Sequence, residues 1–382
     1  MTSSVRLDKW QRIGYKLLLL GMKPEKFMNK FSLQKALVYL VFFVVHTMYS
    51  IQELVVALFF STSLLERISH GYIFTYVVSF NLQWYYMLLN IENFHQNEVS
   101  LEQFRSTQAY FDFADRRLNR NINLFLKCLL TATAFWICNN TAHILGPLVE
   151  TLLTFLRRGE FHLVALLPQA YSLPVWGQII MYFHNALLTF LFLVYCLASY
   201  LVWGTRVLKV KTQCDILNEA LRRDYGQGSN IKSYIKDHIK IIKTAKVLNS
   251  QMEVLNGIIL SACYLEFATQ MFSLSQFEPS GTYFFAVGFD LASIMLIMVI
   301  QCWFASIVTH ALESIADAVY DSNWFRADKN NSLEVLIMLQ MAQREYSQMI
   351  WFKSFKVERA STLNLVQSSY AVYAVLVILQ EK

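Results

Sequence analysis

Hydrophobic positions in this chain gather into seven long runs, and polar segments separate each run from the next. Each run holds about 20 or more residues, enough for a helix to cross a hydrocarbon core about 30 Å thick with some tilt. A buried helix of a soluble protein can mimic one such run, but seven in succession favour a membrane protein. The pattern therefore predicts an all-α membrane protein, a single domain of seven transmembrane helices over residues 1–382. The predicted spans are 33–60, 71–91, 121–146, 177–204, 251–275, 283–308 and 361–380.

Lys and Arg residues sort almost entirely to one side of these spans. The segments on that side, which carry seven, four, ten and six of them, are 1–30, 105–120, 205–250 and 309–360. The loops and terminus on the opposite side carry only Arg67, Arg157, Arg158 and Lys382. Because cytoplasmic loops of membrane proteins carry an excess of basic residues, we expect the N-terminus to be cytoplasmic. An odd number of spans then predicts an extracellular C-terminus.

The composition is typical of the same class of protein. Of the 382 residues, 55% are hydrophobic and only 16% are charged, whereas a soluble domain carries about 25% charged residues. The net charge of +6 points to membrane orientation and anionic lipid as a partner, not to nucleic acid. Motifs such as GxSxG, HExxH and a phosphate-binding glycine-rich loop are missing, so no enzymatic activity and no catalytic residue is predicted. Six cysteines without a CxxC or His/Cys cluster predict neither a metal site nor a cofactor.

Two of the basic segments have helical periodicity of their own. In residues 231–250, apolar side chains recur every three or four positions and five lysines occupy the other positions. Residues 332–350 repeat the pattern. We therefore expect the inner segments 205–250 and 309–350 to form helices that extend into the cytosol as an anchor region. Their apolar faces would pack on each other, on another subunit or on lipid headgroups.

Polar side chains inside the predicted spans are candidates for a binding site, because they are costly in lipid. Several fall in the outer halves of the spans, where they favour a hydrated or ligand-filled vestibule. Hydrogen bonding between helices is the alternative interpretation and stays open. The outer-half residues are Asn139, His143, His184, Gln270 and Asp290, accompanied in the spans by His46, Gln52, Glu53, Asn185 and Glu266.

Aromatic residues are dense in the same outer half. An apolar pocket with a few polar groups suits a small ligand, although an aromatic stripe at helical spacing is also explained by ordinary packing. The predicted ligand-binding residues, drawn from three neighbouring spans at similar depth, are Tyr76, Phe80, Trp136, Asn139, Phe183 and His184.

The last third of the chain carries the most specific motifs. The sixth span, 283–308, carries Cys302-Trp303 near its end, and the stretch Ala318–Trp324 reads Ala-Val-Tyr-Asp-Ser-Asn-Trp. The last span is entered from a basic stretch and contains Ser368–Tyr373, which reads Ser-Ser-Tyr-Ala-Val-Tyr. These motifs resemble those of the insect odorant receptors. The chain length, the predicted orientation and the Lys-rich helix around Ile235–His238 are similar to that family as well.

This resemblance implies an odorant-gated, non-selective cation channel subunit that binds a small volatile organic ligand. It further implies a multi-pass protein of the plasma membrane, in the dendrites of olfactory sensory neurons. Family members form heterotetramers with a shared co-receptor (Orco), and their last helices line one central pore. This chain lacks the long insertion of the co-receptor in the third inner segment, and its ending at 379–382 differs. The resemblance therefore implies a ligand-tuning subunit and not the co-receptor.

Three residues near the outer end of the last span are candidates for a gate. Leu376, Leu379 and Gln380 lie on one helical face, at i, i+3 and i+4. Apolar side chains at this place favour a constriction that gates by dewetting. Packing against another helix is the alternative.

Other membrane proteins remain alternatives. The gustatory receptors share the fold, although their Thr-Tyr ending is absent because Val372 precedes Tyr373. A receptor that couples to G proteins would need the opposite orientation. A secondary transporter is disfavoured because no internal inverted repeat is apparent.

Overall fold

The computed structural model is almost entirely helical over the residues that it describes. Those residues are 3–19, 47–61, 64–96, 111–159, 174–224, 231–276, 282–322, 324, 329–343, 348–350 and 355–380. The described helices are α1 (Ser3–Leu18), α2 (Thr47–Val55), a π-helical turn (Val56–Phe60), α3 (Leu64–Leu89), α4 (Ile91–Gln96), α5 (Phe111–Arg158), α6 (Val175–Asp224), α7 (Ile231–Gln276), α8 (Thr282–Tyr320), α9 (Lys329–Ala342) and α10 (Arg359–Gln380). Two short strands, β1 (Gln348–Ile350) and β2 (Phe355–Val357), precede α10.

The predicted all-α fold is confirmed. Within the described residues, five helices are long and apolar enough to cross a membrane, and they correspond to the third to seventh predicted spans. These are Asp115–Arg157, Phe190–Arg223, Lys232–Gln276, Val287–Tyr320 and Arg359–Gln380. The second predicted span, 71–91, falls mostly on α3, which is not among these five, and residues 33–46 of the first lie outside the described part. The count of seven spans and the orientation in the membrane therefore stay predictions.

Helices α6 and α7 are much longer than a membrane span. They contain 50 and 46 residues, so at 1.5 Å per residue each is about 70 Å long, roughly twice the hydrocarbon thickness. In α7 the lysine-rich part, 231–250, continues without a break into the predicted fifth span. The basic parts of both helices therefore lie beyond any single crossing of the bilayer.

The helix predicted over 332–350 is wrong at its C-terminal end. Helix α9 stops at Ala342, and Gln348–Ile350 instead pairs antiparallel with Phe355–Val357. The apolar period of the sequence made Ile350 look like a continuation of the helical face. Pairing with a neighbouring strand, which no local pattern specifies, overrides that preference. The strand pair leads into α10, whose Arg359 amide donates to Ser306 Oγ on α8 over 3.0 Å.

Contacts between side chains fix the directions of the long helices. Helix α5 runs antiparallel to α6, because Tyr182 Oη donates to the carbonyl of Ile144 at one end and Arg117 lies 3.6 Å from Asp215 at the other. The bundle thus has two halves. We call the cavity half residues 72–84 of α3, 136–158 of α5, 175–203 of α6, 252–276 of α7 and 282–301 of α8. The basic half comprises 111–135, 204–224, 231–251 and 302–320 of α5 to α8, with α1 and α9.

Helix α1, which the hydrophobic pattern does not predict, packs on α6. Lys209 Nζ lies 2.8 Å from Asp8 Oδ1 and donates to Gln11 Oε1 over 2.7 Å. A Cβ at Gly14 would lie only 2.9 Å from the Cβ of Leu201, so the missing side chain permits the close approach of the two helices. The N-terminal segment is therefore an integral part of the basic half.

Candidate ligand-binding site

A cavity of about 190 Å³ lies in the cavity half, and five helices contribute to its lining: α3, α5, α6, α7 and α8. Helix α6 supplies a continuous stripe from Phe192 to Trp203, at positions three or four residues apart. Such spacing places all of these side chains on one face of the helix. The described lining of the cavity therefore comes from the faces of packed helices.

Aromatic rings form one part of the cavity wall. The ring centroids of Tyr76 and Phe192 lie 4.6 Å apart, and those of Trp136 and Tyr200 lie 5.5 Å apart in a stacked pair. Rings at these separations attract one another beyond their burial of apolar area. An aromatic wall held in place by such pairs is well suited to a small ligand with an apolar body.

Polar groups converge on the same space from three helices. Asp290 on α8 accepts hydrogen bonds from Asn139 Nδ2 over 3.0 Å and from Gln270 Nε2 over 3.4 Å. Glu266 also lines the cavity, one helical turn before Gln270. Buried polar atoms without a hydrogen-bond partner are rare in folded proteins and call for an explanation. Four side chains of the cavity lining have such an atom: Trp136 Nε1, Asn139 Oδ1, Glu266 Oε1 and Ser293 Oγ.

A buried cation lies against Trp203, which is part of the cavity lining. Arg206 is 1% exposed, and its guanidinium lies 5.5 Å from the ring centroid of Trp203 and 5.7 Å from that of Phe94. It donates to Gln251 Oε1 over 2.6 Å and to the carbonyl of Phe94 over 2.9 Å. This one side chain therefore joins α4, α6 and α7 next to the cavity lining.

The structure brings three of the six predicted ligand-binding residues into the cavity lining: Tyr76, Trp136 and Asn139. Phe80 lies behind the wall, 2% exposed, with its ring 4.9 Å from that of Tyr195. Phe183 is 65% exposed, and half-buried His184 lies outside the described lining. The lining of α6 begins at Phe192, more than two helical turns deeper than His184. Phe183 and His184 therefore lie too near the start of α6 to belong to the described lining.

Sequence reasoning did not select the α6 stripe, nor did it place Glu266 in the site. The signal was present: Phe192, Tyr195, Ser199 and Tyr200 alternate aromatic and polar groups on one helical face. Packing stripes look the same, so only the structure identifies the one that faces a cavity. Within the described residues, no cluster of three or more His, Cys, Asp or Glu could hold a metal ion.

The three candidate gate residues lie at the cavity end of α10. Leu379 is 53% exposed, and exposed Gln380 donates from Nε2 to Gln276 Oε1 over 2.6 Å. Leu376 is half-buried and lies two turns after Ser369, whose Oγ donates to the carbonyl of Tyr264 on α7. By helical spacing Leu376 continues the face of α10 that contacts α7. Gln380 also contacts α7 although it is exposed, and Leu379 is accessible from outside the chain.

Most of this chain matches a known protein family. The family model described as 7tm odorant receptor matches residues 93–370. The chain belongs to the odorant receptor family. This match covers α5 to α9 and half of α10, and it includes most of the helices that line the cavity. It decides for the odorant receptors over the gustatory and G-protein-coupled alternatives.

Solved structures support the same fold for this odorant receptor. The insect olfactory receptor OR5 from Machilis hrabei in complex with eugenol matches with a TM-score of 0.81 and 14% sequence identity, over 98% of this chain and 99% of that chain. The structure of OR5 reported without a named ligand matches with a TM-score of 0.79 and 15% sequence identity, over 97% of this chain and 98% of that chain. No curated protein sequence matches the chain.

Proposed function

We propose that this odorant receptor is the ligand-tuning subunit of an odorant-gated, non-selective cation channel in the plasma membrane. The ligand would bind in the aromatic cavity, and a pore lined by α10 would open in response. The observation that carries the proposal is the cavity itself, because it encloses aromatic walls and unsatisfied polar atoms within a receptor fold. The similar receptor OR5 is described in complex with eugenol, a small aromatic molecule.

The surface of α10 supports a pore. Only 6% of the residues in the most apolar stretch of α10 are buried in the single chain. The exposed residues of the helix include the polar Asn364, Gln367 and Ser368. Polar groups on a membrane helix face a partner or a water-filled space and avoid lipid. Several copies of α10 around one axis would place these groups along an aqueous path.

The same helix supports assembly with other subunits. Leu363, Tyr370 and Ile378 on α10 are 55% to 62% exposed, and Leu333 and Leu336 on α9 are 53% to 63% exposed. Apolar surface on α9, next to a basic segment, fits a protein partner better than water. We infer a heterotetramer with the co-receptor Orco, in which this chain selects the ligand.

Current recordings test the proposal. Cells would express the chain with the co-receptor, and whole-cell currents would be recorded during application of an odorant panel that includes eugenol. We expect ligand-evoked currents whose reversal potential stays unchanged when K⁺ replaces Na⁺ outside. Responses that appear only through a second messenger, without direct current, would contradict the channel.

Cysteine accessibility tests the pore lining separately. Gln367→Cys places a thiol on the exposed face of α10, and Leu365→Cys places one on the half-buried face toward α7 and α8. A charged, water-soluble thiol reagent should inhibit the open Gln367→Cys channel and leave the Leu365→Cys and unmodified channels unaffected. Equal inhibition of both variants would remove α10 from the pore.

A further inference from the structure

Two carboxylates share the aromatic cavity. Glu266 on α7 and Asp290 on α8 both line it, and they are only 5% and 6% exposed. Gln270 follows Glu266 by one turn on the same face of α7, and its Nε2 reaches Asp290 Oδ2 over 3.4 Å. The two acidic groups therefore face the same part of the cavity, from neighbouring helices.

Several polar atoms around the two carboxylates have no hydrogen-bond partner. Asp290 accepts hydrogen bonds from two amides, but Glu266 Oε1, Asn139 Oδ1 and Ser293 Oγ have no hydrogen-bond partner. All three of these side chains are more than nine-tenths buried. Burying a carboxylate without compensating donors or an opposite charge costs free energy. Among the described residues of the lining there is no Lys, Arg or His, so these residues do not supply an opposite charge within the cavity.

Arg206 does not fill this role. It lies beneath Trp203, and its two terminal nitrogens donate to Gln251 and to the carbonyl of Phe94. Neither acceptor belongs to the described lining, and Arg206 does not belong to it either. A cation that enters the cavity as part of a ligand would complement the carboxylates.

We propose that the cavity recognises small protonated amines. An ammonium group would donate its N–H groups to Glu266 and to the free oxygen of Asn139, with Asp290 as the second negative charge. The organic part would lie against Tyr76 and Phe192, whose ring faces also attract cations. This inference rests on the proposed function, because it names the ligand class of the same site.

Matched pairs of probes test the proposal. The first pair is 2-phenylethylamine and 2-phenylethanol, and the second is hexylamine and 1-hexanol. Primary amines of this kind are protonated at neutral pH, as a Lys side chain is. Binding would be measured as thermal stabilisation of the purified full-length chain, and response as current in cells that also express the co-receptor. We expect each amine to bind more tightly than its alcohol.

The variant Glu266→Gln keeps the shape of the side chain and removes its charge. Because a hydrogen bond to a charged group contributes about 1.5–3 kcal/mol, the variant should weaken binding of both amines by about 10- to 150-fold. The alcohols should bind with unchanged strength. Glu266→Asp, which keeps the charge, should restore part of the amine affinity. Glu253→Gln changes a half-buried carboxylate of α7 outside the described lining and is the matched control.

The outcomes separate the two proposals. Amine binding without any current would contradict the channel and leave the ligand class intact. Binding of the alcohols without binding of the amines would overturn the amine site and leave the odorant receptor intact. An equal effect of Glu266→Gln on amines and alcohols, or no stabilisation by either amine, would also overturn the amine site. A Glu266→Gln chain that fails to fold would be replaced by Ser293→Ala, which removes one free acceptor and should weaken only the amines.

Discussion

Helix α6 passes through both halves of the bundle, and its start and its middle differ in packing. Every residue from 201 to 210 is buried, whereas Trp176, Ile180 and Phe183 near its start are 60% to 67% exposed. The buried stretch is enclosed by α1, α5, α7 and α8. The exposed stretch presents apolar side chains, which suit contact with lipid. One continuous helix thus carries a tightly packed core at its middle, the cavity lining next to it, and an exposed apolar surface near its start.

The polar groups of the two halves differ in their charge. In the basic half the buried cations have partners: Lys209 contacts Asp8 and Gln11, and Arg206 donates to Gln251 and Phe94. Buried polar atoms without a hydrogen-bond partner occur in both halves, but those of the cavity half lie beside open space and include a carboxylate oxygen. A paired cation stabilises the packing of its helices, whereas an unpaired atom beside a cavity leaves binding capacity for a ligand. We therefore expect substitutions in the basic half to change stability and substitutions in the cavity to change ligand response.

Removing the buried cation should have the largest effect. Arg206→Ala leaves Gln251 and the Phe94 carbonyl without their donor and opens a void beneath Trp203. We expect a loss of about 3 kcal/mol of stability, because hydrogen bonds to charged groups and packing are lost together. Thermal melting of the purified chain measures this loss.

Another arginine of the same helix is the control. Arg222 is 46% exposed and lies 3.4 Å from Asp321, so Arg222→Ala should cost less than about 1 kcal/mol. Similar melting temperatures for the two variants would contradict the difference between buried and surface cations.

Two glycines provide a second contrast between the halves. A Cβ at Gly204 would collide with the ring of Phe125, whose Cζ would lie 2.5 Å away. Phe125 is itself 4% exposed, so it cannot move aside freely. Gly204→Ala should therefore cost about 1–3 kcal/mol of stability through overpacking.

Gly288, in the cavity half, is the matched position. It is helical, and a Cβ there would meet nothing within 4 Å among the described atoms. Gly288→Ala should be neutral or stabilise the chain by up to about 1 kcal/mol, because alanine favours the helix. Chemical denaturation of both variants in the same detergent compares them. A destabilised Gly288→Ala chain would contradict the open space at this position.

The sequence predicts most of the helical architecture, but it does not predict how far along α6 the cavity lies. Runs of apolar residues identify the five long helices because burial in lipid demands a continuous apolar stretch. The same runs do not reveal where a cavity opens along α6. The sequence therefore predicts Phe183 as a ligand-binding residue, although the lining of α6 starts at Phe192. Polar residues within apolar runs were better guides, since Asn139, Gln270 and Asp290 do converge. The strand at Gln348–Ile350 was missed because its partner strand, not its own pattern, determines it.

The predicted ligand-binding residues divide into a buried and an exposed set, and the division is testable. Tyr76 lines the cavity and packs on Phe192, so Tyr76→Ala should remove about 1–3 kcal/mol of binding free energy, a roughly 5- to 150-fold rise in effective concentration. Phe183 points away from the described lining, and Phe183→Ala should leave the dose–response curve unchanged. Surface labelling confirms that both receptors reach the membrane. A larger shift for Phe183→Ala would move the binding site toward the start of α6.

The smallest expected effect concerns the gate, and it separates the two faces of α10. Leu379 is exposed from the single chain, whereas Leu376 lies on the face that packs against α7. If exposed apolar residues at this end form a dry constriction, Leu379→Ser should wet it and raise the current that flows without ligand. Loss of one leucine from the ring corresponds to about 1 kcal/mol, which is roughly a fivefold rise in basal current.

Leu376→Ser should instead reduce the number of assembled channels, since it introduces a hydroxyl group between packed helices. The ratio of basal current to maximal ligand-evoked current distinguishes the two cases, because a loss of assembly lowers both currents together. The rise should shrink as the proportion of co-receptor increases, because this chain then supplies fewer positions of the ring. A raised ratio for Leu376→Ser together with a normal ratio for Leu379→Ser would place Leu376 at the pore and would show that α10 rotates when the subunits assemble.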